Sequence, residues 1–371
     1  MSITATAAVL SGVGEDFELR EVSLDEPRPD EVLVRMVATG LCGTDVGVQE
    51  GHIPFPLPGV LGHEGAGVVE RVGATVDSVQ PGDQVLLSFT SCGSCRNCRT
   101  GHPAYCETFL SRNLLGGQRA DGSTTLSGPS GELHGHFFAQ SSFATCALAD
   151  ERGVTKVDPH ADLSLLAPLG CGVQTGAGAV WNSLKPEPGS VLAVFGAGAV
   201  GLSAIMAAAL SGTTNIVAVD LVADRLELAH ELGATATVNS RETDVAAALA
   251  EITGGRGIDY AIDSTGNTGV LHTAVHALAP LGVCAAIGAP PAGSTVEVDV
   301  NFLLNGRRVI GVTEGDSTPQ IFLPALVDLI GQGRFPLQKL VRTYEFTAIN
   351  EAAAAVKDGS TLKPVLTFES G

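Results

Sequence analysis

The sequence predicts an α/β protein of two domains: a β-rich domain that the chain's tail rejoins, and a doubly wound parallel sheet inserted between the two parts. Three observations carry this reading. Between residues 191 and 312 short apolar runs alternate with helical stretches, the pattern of a parallel sheet covered on both faces. The first part of the chain instead shows strand-like runs at 31–38, 65–72 and 84–88, separated by Gly and Pro turns and without a long helical period. After residue 312 there is one clear helix, 321–332, and a final strand near 365–368, too little to build a sheet, so the tail is expected to return to the first domain. The expected boundaries are 1–171 with 312–371 for the β-rich domain and 172–311 for the parallel sheet.

Within the second domain, strands read at 191–195, 216–220, 235–238, 258–263, 283–288 and 308–312. A helix at 224–232 is expected to start on Asp224 as its cap and to stop at Gly233. The stretch 191–210 lacks any charge and is long enough to mimic a membrane span. Its internal order argues otherwise: a β-branched and aromatic strand, a glycine turn from Gly196 to Gly201, then a small-residue helix.

With 371 residues, 44% hydrophobic and 16% charged, the chain is long enough to bury two sizeable cores. Its 40 acidic residues against 21 basic ones give a net charge of -19, which repels phosphate backbones and anionic lipid. Nucleic-acid and membrane-surface partners are therefore not expected. Glu15, Asp16 and Glu18 interrupt the N-terminal stretch, which has no basic n-region, so cytoplasmic residence is the expectation.

Two motifs carry chemistry by spacing alone. Cys92, Cys95, Cys98 and Cys106 follow C-x2-C-x2-C-x7-C, which brings four thiols together as a closed, structural zinc shell. Two disulfides or an iron–sulfur cluster are the competing readings. Gly196, Gly198 and Gly201 form G-x-G-x-x-G after a strand and at the start of a helix, with Asp220 ending the next strand. Such glycines let a pyrophosphate approach a helix N-terminus, and the Asp220 carboxylate would accept from adenosine ribose hydroxyls and repel a 2′-phosphate, so NAD is expected over NADP. Arg225 stacks on the adenine, neutralises a 2′-phosphate, or is a surface residue of its helix.

Cys42, His63, Glu64 and Cys171 each lie in a glycine-rich, turn-like stretch. Residues of these types on separate loops are what an open, three-ligand zinc site needs, although spacing does not prove that they meet. Together with the four-cysteine lobe, the nucleotide fingerprint and the ending Lys363-Pro364-Val365-Leu366-Thr367-Phe368, they resemble the zinc-dependent medium-chain alcohol dehydrogenases nearly end to end. The stretches 56–64, 136–145 and 170–178 are similar to the aryl-alcohol (benzyl alcohol) branch and its geraniol-oxidising relatives.

The resemblance implies a GroES-like β-rich catalytic domain and a Rossmann domain, two zinc ions and NAD, and reversible oxidation of a primary aryl or allylic alcohol to the aldehyde. It implies that Cys42, His63 and Cys171 hold the catalytic zinc, with Glu64 as a transient ligand and Asp45 orienting the His63 ring. Thr44 would take the alcohol proton, Thr175 would pack on the nicotinamide, the backbone at Ile287, Gly288 and Ala289 would bind its carboxamide, and Thr265 would join the cofactor contacts. Lys363 would approach the pyrophosphate and Phe89 would line the substrate pocket. The competing readings are a helix cap for Thr175, a solvated charge for Lys363 and ordinary core for Phe89. A homodimer or homotetramer is expected from the family's habit of extending the nucleotide-binding sheet between subunits.

Two departures stand out. Gly47 occupies the position where many relatives place a proton-relaying histidine, and Gly43 stands where benzyl-type members tend to have a histidine near the pyrophosphate. His52 is a candidate substitute for the relay, and the pair His134 and His136 for the pocket mouth. Cys146 and Cys284 read as inert core thiols, and His102, His160, His230, His272 and His276 show no clustering. The alternatives to be tested are a glutathione-dependent formaldehyde-type zinc dehydrogenase and a non-catalytic NAD-binding sensor.

Overall fold

The computed structural model describes residues 3–128 and 131–368. It divides into two compact units, one of residues 1–171, 318–332 and 337–371, the other of residues 172–317 and 333–336.

The first unit is built on two antiparallel-rich sheets. One runs in the order Gly59–Val60, Ile3–Leu10, Glu18–Leu24, Leu126–Gly128 and Gly131–Leu133. The larger runs Val154–Lys156, Gln84–Leu87, Glu64–Val72, Glu31–Gly40, Lys363–Thr367 and Val341–Glu345, with Cys146–Asp150 also on Glu31–Gly40. The tail thus rejoins the first unit: Lys363–Thr367 pairs antiparallel with Glu31–Gly40, setting Val365 opposite Gly40. The core between the sheets holds Leu10, Leu33, Leu61, Phe89, Phe137 and Phe143, each almost wholly buried. The strand Val341–Glu345 and the helix Ile349–Lys357 were not anticipated from sequence.

The second unit is a six-stranded, all-parallel sheet in the order Ala236–Asn239, Asn215–Asp220, Val191–Phe195, Ile258–Asp263, Leu278–Ala286, Arg308–Gly311. The chain starts in the middle and works outward to each side, which leaves a crevice at the strand ends where the order reverses. All five residues of Val191–Phe195 are buried, as expected for a central strand with both faces covered. The uncharged stretch 191–210 is this strand, a turn and the helix Ala199–Leu210; among the described residues no single helix is long and apolar enough to cross a membrane.

Three expectations are corrected. The return crossing falls between Ser317 and Thr318 instead of 311 and 312, because Glu314 and Ser317 are hydrogen-bonded to the buried Gln174 side chain. The helix after Asp220 spans Ala223–Glu231 with Val222 at its cap position, so Asp224 lies inside the first turn. Its entry is braced by Asp220, whose Oδ1 accepts from the Leu221 and Val222 amides at 2.7 and 2.9 Å. The late helix begins at Pro319, which fits a first helical position because proline lacks the N–H that would be orphaned there.

Candidate active site

The first unit brings Cys42, His63, Glu64 and Cys171 together, with one ligand atom from each within 4.8 Å of the others. Cys42 directly precedes the helix Gly43–Gln49, Glu64 opens the strand Glu64–Val72 beside His63, and Cys171 follows the turn Ala167–Gly170. Asp45, fully buried, ties the Cys42 and His63 segments. Its Oδ2 accepts from the Cys42 amide at 2.9 Å, and its Oδ1 accepts from the Gly62 amide at 3.1 Å and meets His63 Nδ1 at 3.1 Å. A carboxylate only accepts, so Nδ1 carries a proton and Nε2 is the ring atom left to a metal; against burial, the Asp45 carboxylate and the Cys42 sulfur hold the ring's pKa well above its usual value. That Nε2 is buried without a hydrogen-bond partner, an arrangement that costs about 1–3 kcal/mol unless a cation uses it. The Cys42 thiol is held well below its usual pKa, foremost by a hydrogen bond with Cys171 and against burial, with help from the Lys363 charge. Two sulfurs, one of them disposed to be thiolate, an orphaned imidazole nitrogen and a carboxylate are a donor set that fits zinc with an open position.

Lys363 departs from expectation. Its Nζ lies 2.8 and 3.0 Å from the two Glu64 oxygens, and both side chains are buried. It is not a solvated charge: it is buried and paired with Glu64.

In the second cluster, Cys95 and Cys98 place their sulfurs 3.4 Å apart, and Cys92 and Cys98 3.9 Å apart. These separations are far beyond a disulfide bond and near the edge of a zinc–thiolate tetrahedron, about 3.8 Å for Zn–S near 2.3 Å. Backbone amides of Cys95 and Ser94 point at Cys92 Sγ at 3.3 and 3.5 Å. Led by the Ser94 amide, they bring the Cys92 thiol down to about 5. The four residues fit a closed zinc shell.

In the second unit, Gly196 has φ +91° and Gly201 packs so tightly that a Cβ there would lie 1.8 Å from the Gly196 carbonyl oxygen. Both positions demand glycine. Asp220 Oδ2 accepts from the Ala197 amide at 2.6 Å, so this carboxylate braces the glycine turn itself. A cavity of about 100 Å³ opens beside it, lined by Gly196, Asp220, Leu221, Ser240, Thr265 and Val270 among others. Thr265 thus joins Gly196 and Asp220, and its hydroxyl donates to Asp263 at 2.7 Å. Arg225 is on the following helix and does not line this cavity. Ile287 and Gly288 follow the strand Leu278–Ala286, and both their amides donate to the Asp263 carbonyl. Those two amides are spent within the fold. Thr175 is buried on Gly172–Gly178, and Ala289 is exposed.

The remaining candidates separate cleanly. Thr44 Oγ1 lies 3.9 Å from Cys42 Sγ. Phe89 is buried against Phe109, Phe109 meets Phe138 edge-on, and Phe138 stacks on His63 with centroids 4.6 Å apart. His52 is largely exposed and its Nδ1 lies 3.5 Å from Glu50. A Cβ at Gly47 would meet Ile53 Cδ1 at 3.0 Å, so a histidine there would press on that side chain. Gly43 faces open space. Burial raises Cys146 to about 11 and Cys284 to about 12, which keeps both thiols protonated and inert. His272 and His276, one helical turn apart, do cluster, with rings stacked at 4.0 Å, and belong to neither ligand set. Sequence reasoning assigned no role to Phe138 or Gln140, both in the stretch 136–145.

Residues 28–159 match the family described as alcohol dehydrogenase GroES-like domain, and residues 199–331 the family described as zinc-binding dehydrogenase. The chain is 44% identical over 368 residues to a geraniol dehydrogenase of Castellaniella defragrans, covering 99% of this chain and 98% of that one. It superposes on an alcohol dehydrogenase zinc-binding domain protein from Burkholderia ambifaria with TM-score 0.96 and 53% identity, covering 100% of each chain. The benzyl alcohol dehydrogenase of Acinetobacter calcoaceticus gives TM-score 0.95 and 48% identity over 99% of this chain and 100% of that one.

Proposed function

The chain belongs to the zinc-dependent medium-chain alcohol dehydrogenases, and from that premise we propose that it oxidises primary aryl or allylic alcohols reversibly to aldehydes with NAD. The observation that carries the reading is the convergence of Cys42, His63, Glu64 and Cys171 around an unpartnered, buried His63 Nε2. Cys42, His63 and Cys171 would hold one zinc, and Cys92, Cys95, Cys98 and Cys106 a second. When bound, the catalytic zinc supplies Lewis acidity that lowers the pKa of an alcohol hydroxyl, and NAD supplies the hydride acceptor.

The chain's own groups do the rest. Asp45 holds the His63 ring so that Nε2 faces the cluster. Thr44 Oγ1 would take the hydroxyl proton, and with Gly47 in the usual relay position that proton would leave through water. With NAD bound as hydride acceptor, the balanced products would be aldehyde, NADH and one proton. Phe137 and Phe138, packed edge-on and face-on against His63, provide an apolar aromatic wall suited to aryl and allylic groups. The Asp220 carboxylate beside the glycine turn supports NAD over NADP.

Self-association is proposed through the strand Arg308–Gly311, which ends the order of the parallel sheet among the described residues. Val309 on this strand is exposed, as are Leu281, Val300 and Leu304 elsewhere in the unit.

The test is NADH formation at 340 nm with benzyl alcohol, cinnamyl alcohol, geraniol and ethanol, with and without a zinc chelator. Turnover favouring the aryl and allylic alcohols and lost on chelation is expected. Activity only with formaldehyde and glutathione, or none from zinc-loaded protein, would overturn the reading.

A further inference from the structure

We propose that Gln140 is a positioning residue for the metal ligand His63, acting through the backbone on either side of Glu64. This rests on the reading of Cys42, His63 and Cys171 as zinc ligands. Gln140 is 2% exposed, and its amide is used from both ends. Nε2 donates to the His63 carbonyl and to the Ser88 carbonyl, each at 3.1 Å, while Oε1 accepts from the Gly65 amide at 3.1 Å. One side chain from elsewhere in the sequence thus brackets the Glu64 residue and fastens it to the strand end at Ser88.

The segment that delivers Gln140 is strained and laced to the same motif. Phe138, Ala139 and Ser141 adopt φ of 49°, 53° and 48°, a left-handed region that non-glycine residues hold only where surroundings over-determine it. The surroundings here are the ligand segment. The Ser142 and Phe143 amides donate to the Gly62 and Leu61 carbonyls at 3.0 Å each, and Ser141 Oγ donates to the Val60 carbonyl at 2.6 Å. Gly62, with φ +89°, allows this approach, since a Cβ there would come within 2.6 Å of the Phe143 amide nitrogen. The same turn lays Phe138 over the His63 ring at 4.6 Å with planes 25° apart. The imidazole is therefore set from three directions: Asp45 at Nδ1, Phe138 on its face, Gln140 on its backbone. The Gln140 amide bonds to backbone groups and is outside the ligand set, so its effect should be on how well the ligand is held. Outer partners of this kind are worth 10–100-fold in metal affinity.

The experiment measures zinc release from the holoenzyme to a chromogenic chelator. Two phases are expected, and the Cys106→Ser variant identifies the one from the four-cysteine lobe. Gln140→Leu should accelerate the other phase by about 10–100-fold and leave the four-cysteine phase within about twofold. Gln140→Glu keeps the acceptor for the Gly65 amide but sets oxygen against two carbonyls, and should do the same; it carries the test alone if the leucine variant does not fold. In cobalt-substituted enzyme, both variants should shift the visible absorption of the His63 site. Unchanged release in either folded variant, or equal acceleration of both phases, would overturn the proposal, as would failure of both variants to fold. Wild-type protein that binds zinc only in the four-cysteine lobe would overturn the metal reading itself, and this proposal with it.

Discussion

Lys363 Nζ is held by both carboxylate oxygens of Glu64 at 2.8 and 3.0 Å, across 299 residues of sequence and out of contact with water. Charges buried this deeply persist where each partner replaces the solvent the other has lost. The neighbouring Cys42 sulfur, disposed to be thiolate, also favours the ammonium.

Breaking this pair from one side strands a buried charge. Lys363→Met should cost about 3–5 kcal/mol in denaturant unfolding, and Glu64→Gln a similar amount. The double variant should lose clearly less than the two losses added, which a double-mutant cycle reads directly. Additive losses would mean that the two groups do not stabilise each other.

Asp220→Ala removes a carboxylate that both braces the glycine turn, through Ala197, and stands beside the nucleotide cavity. The KM for NAD should rise about tenfold or more, equivalent to about 1.4 kcal/mol, and the preference for NAD over NADP should shrink. Steady-state kinetics with each cofactor checks this; unchanged kinetics with both would remove Asp220 from the site.

Cys106→Ser opens the four-cysteine shell. Zinc per chain, measured by elemental analysis, should fall by one equivalent, and thermal unfolding should come roughly 10 °C earlier, because metal binding there is folding energy. The remaining zinc should still support turnover at low temperature, since the lobe has no open position for chemistry.

The pH dependence of stability should carry a histidine signature. His136 is 8% exposed, its Nδ1 has no hydrogen-bond partner, and burial, aided by Arg119, Arg112 and Arg28 against Glu31, brings its pKa to about 4 from 6.5. Between these values the unfolded chain takes up a proton that the folded one refuses, so stability falls as pH drops from 6.5 towards 4. The full contribution is about 3 kcal/mol. His136→Leu should flatten that part of the curve relative to wild type; an identical slope would show that carboxylates alone account for it.

Much of this protein was legible in its sequence because the relevant chemistry is local. Cys92 to Cys106, Gly196 to Gly201, and the strand that ends in Asp220 state their roles through short spacings, and alternating apolar strands and helices prescribe the parallel sheet between 191 and 312. What joins distant segments was not legible. Cys42, His63, Glu64 and Cys171 were grouped by residue type and by resemblance without proof that they meet, whereas the fold brings one ligand atom of each within 4.8 Å of the others, with the buried Asp45 bonded to the Cys42 and His63 segments. Lys363 read as a surface charge or a phosphate contact, and its partner Glu64 came into view only with the pairing of Lys363–Thr367 and Glu31–Gly40. Gln140 lies in the stretch 136–145 that carries the resemblance, but its own part was not legible there, because an amide's value lies in which buried carbonyls it meets, and that is decided by long-range packing. Local spacing encodes what can bind; the tertiary structure decides which groups are desolvated together, and hence which are held firmly enough to do chemistry.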